Sequence, residues 1–203
     1  MSEGRPISRF PVPRLEELPD DIRARIEAVA EKSGFVPNVF LALAHRPDEW
    51  RAFVAYHDAV MERESGLSPA EKELIVVATS AANDCLYCVV AHGAIARVRA
   101  RSPLVADQVA VDWRKADVTE RQRAMLGFAV KLAVEPAGVT EVDLEELRRH
   151  GFGDEDIWDI GAITALFAMS NRMAHLTAMR PNDEFYLMGR VPKEVYSRVS
   201  RSG

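Results

Sequence analysis

Residues 68–93 read SPAEKELIVVATSAANDCLYCVVAHG, and the reading of this stretch decides the fold. Ser68 followed by Pro69 and Glu71 is a helix start. A serine hydroxyl accepts an early backbone N–H, proline tolerates the first helical position, and acid suits the positive end of the helix dipole. Leu74, Ile75, Val77 and Ala78 carry the helix to Ala82, Asn83-Asp84 interrupts it, and a second helix is predicted from Cys85 to about Arg99. Two helices joined by so short a turn form a hairpin. Its turn lies beside the chain's sole cysteines.

Outward from the hairpin, the same helical signals recur. Ile22, Ile26 and Val29 predict a helix over Asp20–Lys32 that Gly34 ends, and Pro37–Ala44 reads as a short one. Pro47 opens a helix running towards Glu64, with Gly66 as its stop. Pro103–Val111 is short; Thr119–Val134 has an apolar face of Met125, Leu126, Phe128, Ala129 and Leu132; and Thr140 caps a segment to His150. Asp154 to about Met179 is the longest helix, nearly all apolar from Ile157 to Met173, which suits the core or a subunit interface, and Pro181 stops it. Strand signals are thin, so the fold class is all-α. One helical domain is expected over 19–189, with its motif core at 67–100, after an extended proline-rich arm (1–18) and before a C-terminal tail (190–203). Trp50, Trp113 and Trp158 read as core or interface.

Composition narrows the function classes. With 203 residues, 48% of them hydrophobic, the chain can bury a real core, which argues against disorder. A formal net charge of −5 and a pI near 5.6 argue against a generic nucleic-acid or acidic-membrane binder, which needs clustered positive charge. Two cysteines are too few for a disulfide scaffold or a zinc ribbon. Met1–Pro13 has no apolar stretch of signal-peptide length, and no apolar run approaches a membrane span, so a soluble, cytoplasmic protein is expected.

Chemistry concentrates in the hairpin. Cys85 and Cys88 share one helix face, and His92 is the next neighbour of Cys88 along it. With Asp84 as N-cap, both cysteines fall in or beside the first turn, where free N–H groups and the dipole favour thiolate. Glu73 lies about as far before the turn as His92 lies after it, so the carboxylate can face the imidazole across the hairpin. Such a pair would form a proton relay: the histidine takes a thiol proton, and the carboxylate holds the ring and stabilises its charge. The dipole favours Cys85 as the thiolate, whereas contact with His92 favours Cys88. An inert buried pair and a metal site built from both thiolates, His92 and Glu73 are the competing readings. Tyr87 is either a site residue or a rim aromatic. His45, His57, His150 and His175 read as surface or capping residues, and Asn171 and Arg172 as structural.

Glu73, eleven residues, Cys85-x-x-Cys88, three residues and His92 together resemble the core motif of the alkylhydroperoxidase AhpD family, within the carboxymuconolactone decarboxylase-like superfamily. A broader likeness spans Phe35 to Gly189, through Leu67-Ser68-Pro69, Asp156-Ile-Trp158-Asp, Asn171-Arg172 and Arg180-Pro-Asn-Asp-Glu-Phe185, and is similar to the family's peroxidase-related branch. The resemblance implies an AhpD-like helical bundle, assembly into homo-trimers or hexamers, and thiol-dependent reduction of hydroperoxides. By that likeness Cys88 is the peroxidatic cysteine, Cys85 resolves it, and Glu73 and His92 form the relay. No flavin, haem or metal is implied; a separate thiol or dithiol donor protein reopens the disulfide. The chain departs from the best-known members in having Tyr87 where they carry a second histidine. A phenol is a poor base near neutral pH, so a shorter or slower relay is expected. A non-catalytic redox-sensing or assembly role and lactone decarboxylation are the alternative functions.

Overall fold

The computed structural model describes residues 6–196, so residues 1–5 of the arm and 197–203 of the tail lie outside the described residues. Among the described residues the regular elements are helices: α1 (Asp20–Ser33), α2 (Asn38–Leu43), α3 (Pro47–Met61), α4 (Pro69–Ala82), α5 (Leu86–Ala100), α6 (Val105–Asp112), α7 (Glu120–Val134), α8 (Glu141–Arg149), α9 (Asp154–Thr177), α10 (Glu184–Leu187) and α11 (Lys193–Tyr196). Extended pairing among them is limited to an isolated bridge between Met188 and Val191. The all-α expectation holds, and no helix among the described residues is long and apolar enough to cross a membrane.

Local chemistry sets several of the helix starts. Ser68 Oγ accepts from Glu71 N–H at 3.2 Å while the Glu71 carboxylate accepts from Ser68 N–H at 2.8 Å, so two otherwise unpaired donors are satisfied at the head of α4. Thr119 and Gln122 exchange the same pair of bonds at the head of α7. Gly34 ends α1 in the left-handed region at φ 92°, where a Cβ would be strained.

Helix α4 runs through the middle of the molecule. Every residue from Glu71 to Ser80 is buried, and α5, α6, α7 and α9 pack around it. A helix buried on all sides must find partners for every polar side chain it carries, so Lys72, Glu73, Thr79 and Ser80 are each tied to a specific neighbour. A smaller apolar cluster of Leu18, Ile22, Ile26, Ala44 and Trp50 holds α1, α2 and α3 together. The N-terminal arm is anchored to the far end of α9, because Arg9 N–H donates to Thr177 O at 2.8 Å and Arg180 N–H donates to Ile7 O at 3.1 Å.

Several boundaries differ from the sequence expectation. Helix α3 ends at Met61, short of Glu64, and Lys72 satisfies its terminal carbonyls. Helix α6 begins at Val105, two residues after Pro103. Helix α9 stops at Thr177 on left-handed Ala178, ahead of Pro181. A 3-10 turn at Leu15–Glu17 interrupts the arm, and the short α10 and α11 carry no sequence signal of their own. Trp50 is buried and bonded to Phe40 O, whereas Trp158 is 74% exposed.

Candidate active site

The α4–α5 turn positions the cysteines. Asn83 Nδ2 bonds back to Thr79 O at 3.0 Å, Asp84 takes a left-handed conformation at φ 53°, and Cys85 N–H donates to Ser80 O at 2.9 Å. Cys85 itself is therefore the N-cap of α5, where the sequence reading put Asp84. The reversal at Asp84 is needed to bring α5 back along α4, and a left-handed residue is no helix cap. Both cysteines are free and buried, and they approach to 3.4 Å.

That proximity splits their acidities. The Cys88 thiol donates to Cys85, and this bond, opposed by burial and helped by the Cys88 backbone N–H and by His175 and His92, draws the Cys85 thiol down to about 7. Holding its proton against Cys85 in a buried site pushes Cys88 well above the ordinary thiol value. The first of the two protons to leave thus comes from Cys85, the sulfur at the helix N-terminus. Ser170 Oγ on α9 lies 3.9 Å from Cys88 Sγ. Nearby, Ser80 Oγ donates to Asn171 Oδ1 at 3.0 Å, and Asn171 Nδ2 is buried without a partner.

Across the hairpin, Glu73 Oε2 and His92 Nδ1 meet at 2.8 Å, as equal spacing about the turn implies. Glu73 is buried and His92 half-buried, with side-chain exposures of 3% and 14%. The other oxygen of Glu73 faces Arg99 at 3.8 Å. His92 stands edge-on to Phe167 of α9 with ring centroids 4.6 Å apart. The four sequence-predicted residues form two bonded pairs; helical spacing makes Cys88 and His92 neighbours, but no hydrogen bond links them. Tyr87 turns the other way, its buried hydroxyl accepting from Val39 N–H at 3.0 Å at the head of α2. Burial keeps that phenol protonated. Among the described residues no three His, Cys, Asp or Glu side chains converge as metal ligands would.

Sequence reasoning missed Ser170, Arg99 and the half-buried His57. Arg99 sits seven residues beyond His92 on one face of α5, a spacing that could have found it. Ser170 and Phe167 come from α9, remote in sequence, and carried no local signal. Ser170 also lines a cavity of about 560 Å³ between α2, α3 and α9, whose walls include Val39, Phe53, Tyr56, Met169 and Met173.

Residues 47–131, from α3 to α7, match the carboxymuconolactone decarboxylase family. The chain is similar to a solved structure from Ralstonia eutropha JMP134, described as an alkylhydroperoxidase AhpD core and uncharacterized peroxidase-related protein, at 67% identity and a TM-score of 0.92 over 93% of this chain and 100% of that one. An uncharacterized peroxidase-related protein from Silicibacter sp. TM1040 is 40% identical with a TM-score of 0.88, covering 94% of this chain and 100% of its own. The debrominase Bmp8, at 20% identity and a TM-score of 0.73 over 93% of this chain and 98% of its own, shares the fold. No curated protein matches the chain.

Proposed function

Because the chain belongs to the AhpD-like branch of the carboxymuconolactone decarboxylase superfamily, we propose that it reduces hydroperoxides through the Cys85–Cys88 pair, with Glu73 and His92 as its proton relay. The observation that carries this reading is two free thiols 3.4 Å apart at the start of α5, with a carboxylate-bound imidazole one turn further along the same helix. His92 takes the proton of Cys88, and Glu73 stabilises the resulting imidazolium. The Cys88 thiolate attacks the O–O bond, leaving a sulfenic acid; the departing oxygen takes the proton from His92 and leaves as an alcohol, or as water from hydrogen peroxide. The Cys85 sulfur then displaces hydroxide from the sulfenic acid as the disulfide forms, and the hydroxide leaves as water with the proton of the Cys85 thiol or, where Cys85 is already ionised, with one from solvent. An external dithiol, carried by a donor protein, reopens the bridge by exchange and closes the cycle with no further cofactor.

Support for an access route comes from the cavity lined in part by Ser170, whose hydroxyl lies 3.9 Å from Cys88 Sγ. Its apolar walls suit an organic hydroperoxide. A working thiol pair requires a reducing compartment, which fits the cytoplasm. The exposed Leu104, Val111 and Trp158 offer apolar surface for assembly into a trimer or hexamer.

Stopped-flow mixing of the pre-reduced protein with hydrogen peroxide and with cumene hydroperoxide, with free thiols counted before and after, tests the proposal. The expected result is loss of two thiols per chain, sustained turnover only when a dithiol is supplied, and no turnover in Cys88→Ser. Unchanged turnover in that variant would overturn it.

A further inference from the structure

We propose that Ser170 is a catalytic residue that makes the thiol pair selective for organic hydroperoxides: the carbon group fills the cavity beside it, and its hydroxyl donates to the carbon-bearing oxygen as the O–O bond breaks. The inference rests on Cys88 as the attacking sulfur. Ser170 belongs to α9, and its Oγ lies 3.9 Å from Cys88 Sγ while its side chain lines the cavity of about 560 Å³. A hydroxyl inside a helix commonly bonds back to the carbonyl four residues earlier. Thr79, Thr164 and Thr177 do so, to Ile75 O, Ile160 O and Met173 O, each at 2.8 Å. Ser170 does not: among the described residues its hydroxyl is partnered by Cys88 Sγ. Sulfur is a weak partner, so the hydroxyl proton stays available to a ligand.

Elsewhere on the cavity walls the buried donors are already committed. Thr177 donates to Met173 O, and Trp50 Nε1 donates to Phe40 O at 3.0 Å. Arg46 pairs with Glu49 at 2.7 Å, and both are exposed, as are His45 and Tyr56. The remaining lining, Ser170 apart, is apolar. Such a space takes an apolar body and offers it one hydrogen bond, at the Cys88 end. Hydrogen peroxide, about twice the size of a water of roughly 30 Å³, would leave most of it empty. A hydroperoxide with its carbon group in the cavity presents its terminal oxygen to Cys88 and its carbon-bearing oxygen to Ser170. The thiolate pair forms the S–O bond to the terminal oxygen and the O–O bond breaks, so sulfur is oxidised as the peroxide is reduced. The carbon-bearing oxygen leaves with the bonding pair and takes the proton of His92 to become the alcohol. Its charge develops beside the Ser170 O–H, which donates a hydrogen bond and keeps its own proton.

Single-turnover oxidation of the pre-reduced protein by cumene hydroperoxide and by hydrogen peroxide, read as thiols lost, tests this. Ser170→Ala is expected to slow the reaction with cumene hydroperoxide about 30-fold, the worth of one bond to a developing charge. Alkylation of Cys88 by iodoacetamide, followed residue by residue by mass spectrometry, has no departing oxygen and should slow less than about threefold in the same variant. Met173→Trp fills the cavity and should lower the ratio of the cumene hydroperoxide rate constant to the hydrogen peroxide one at least about tenfold. Met173→Phe replaces it should the tryptophan variant fail to fold. An unslowed reaction with cumene hydroperoxide in Ser170→Ala, an equal fall in alkylation, or an unmoved ratio in the filled cavity would each overturn the proposal. Any of these in a protein whose wild type loses its thiols to peroxide rejects the role of Ser170 and keeps the peroxidase reading. A wild type that loses no thiols to either peroxide rejects both.

Discussion

Lys72 and Glu73 are consecutive residues of α4, both 2% exposed, and they show two different uses of a buried charge. The Lys72 ammonium donates to the carbonyls of Val60, Met61 and Arg63 at 3.3, 3.4 and 2.5 Å, which occupies all three of its protons at the end of α3. Burial pushes its acidity up, against Asp159 and Glu62, but its partners are backbone oxygens that cannot exchange a proton with it. Facing about 100° further round the helix, Glu73 meets two side chains, His92 and Arg99. A charge satisfied by fixed carbonyls braces the fold. A charge satisfied by an imidazole can answer to a proton.

Breaking the structural half should have the largest effect. Lys72→Met leaves the carbonyls at the end of α3 without their donor in a buried site, and a loss of about 3 kcal/mol is expected. Chemical denaturation measures it, and the folded fraction should keep its thiol titration. Breaking the chemical half should do the opposite. Glu73→Gln retains shape but cannot stabilise an imidazolium, so peroxide turnover is expected to fall about 100-fold. Unfolding free energy should change by less than about 1 kcal/mol, because the partly exposed Arg99 can turn to solvent. If the two variants lost stability equally, the contrast between the neighbours would fail.

The cysteines sharpen the same contrast through pH. Cys85 is drawn from the ordinary 9.0 to about 7, so its thiolate stabilises the folded state fully above pH 9 and this contribution is lost as pH falls through 7. Cys88 is shifted the other way, so above pH 9 its retained proton works against the fold. The deficit in melting temperature of reduced Cys85→Ser relative to the wild type should accordingly widen between pH 7 and 9. Thiolate absorbance at 240 nm in the wild type should rise with a midpoint near 7, and that step should disappear in Cys85→Ser.

Legibility in the sequence followed the range of the forces involved. Ser68, Pro69 and Glu71 fix the head of α4 by bonds within four residues, and the gap at Asn83-Asp84 fixes the turn, so hairpin and Glu73–His92 contact could be read together. Locating the cap at Asp84 failed by one residue because propensity favours aspartate there, while the return of α5 along α4 forces Asp84 into a left-handed conformation. Phe167 and Ser170 carried no signal, and His57 read as a surface or capping residue, for a different reason. They reach the site from α3 and α9 through packing, and no local spacing announces a contact made across 110 residues of chain, as from His57 to Phe167. Lys72 likewise meets the end of α3 through packing, and nothing in its local sequence marks those carbonyl partners.

Tyr87 gives the smallest expected effect and the finest test of where bracing ends and chemistry begins. It is adjacent in sequence to Cys88, yet its hydroxyl serves a backbone group: Val39 N–H is one of the first N–H groups of α2, which have no partner within that helix. Its ring meanwhile packs edge-on against Phe185 at 6.5 Å. Tyr87→Phe keeps the ring and removes only the acceptor, so a loss of about 1 kcal/mol in unfolding free energy is expected. Peroxide turnover should stay within about twofold of the wild type, since the phenol keeps its proton throughout and lies outside the relay. A tenfold fall in turnover at unchanged stability would instead move Tyr87 from the Lys72 side of the comparison to the Glu73 side, and would make the phenol a proton donor to the departing oxygen.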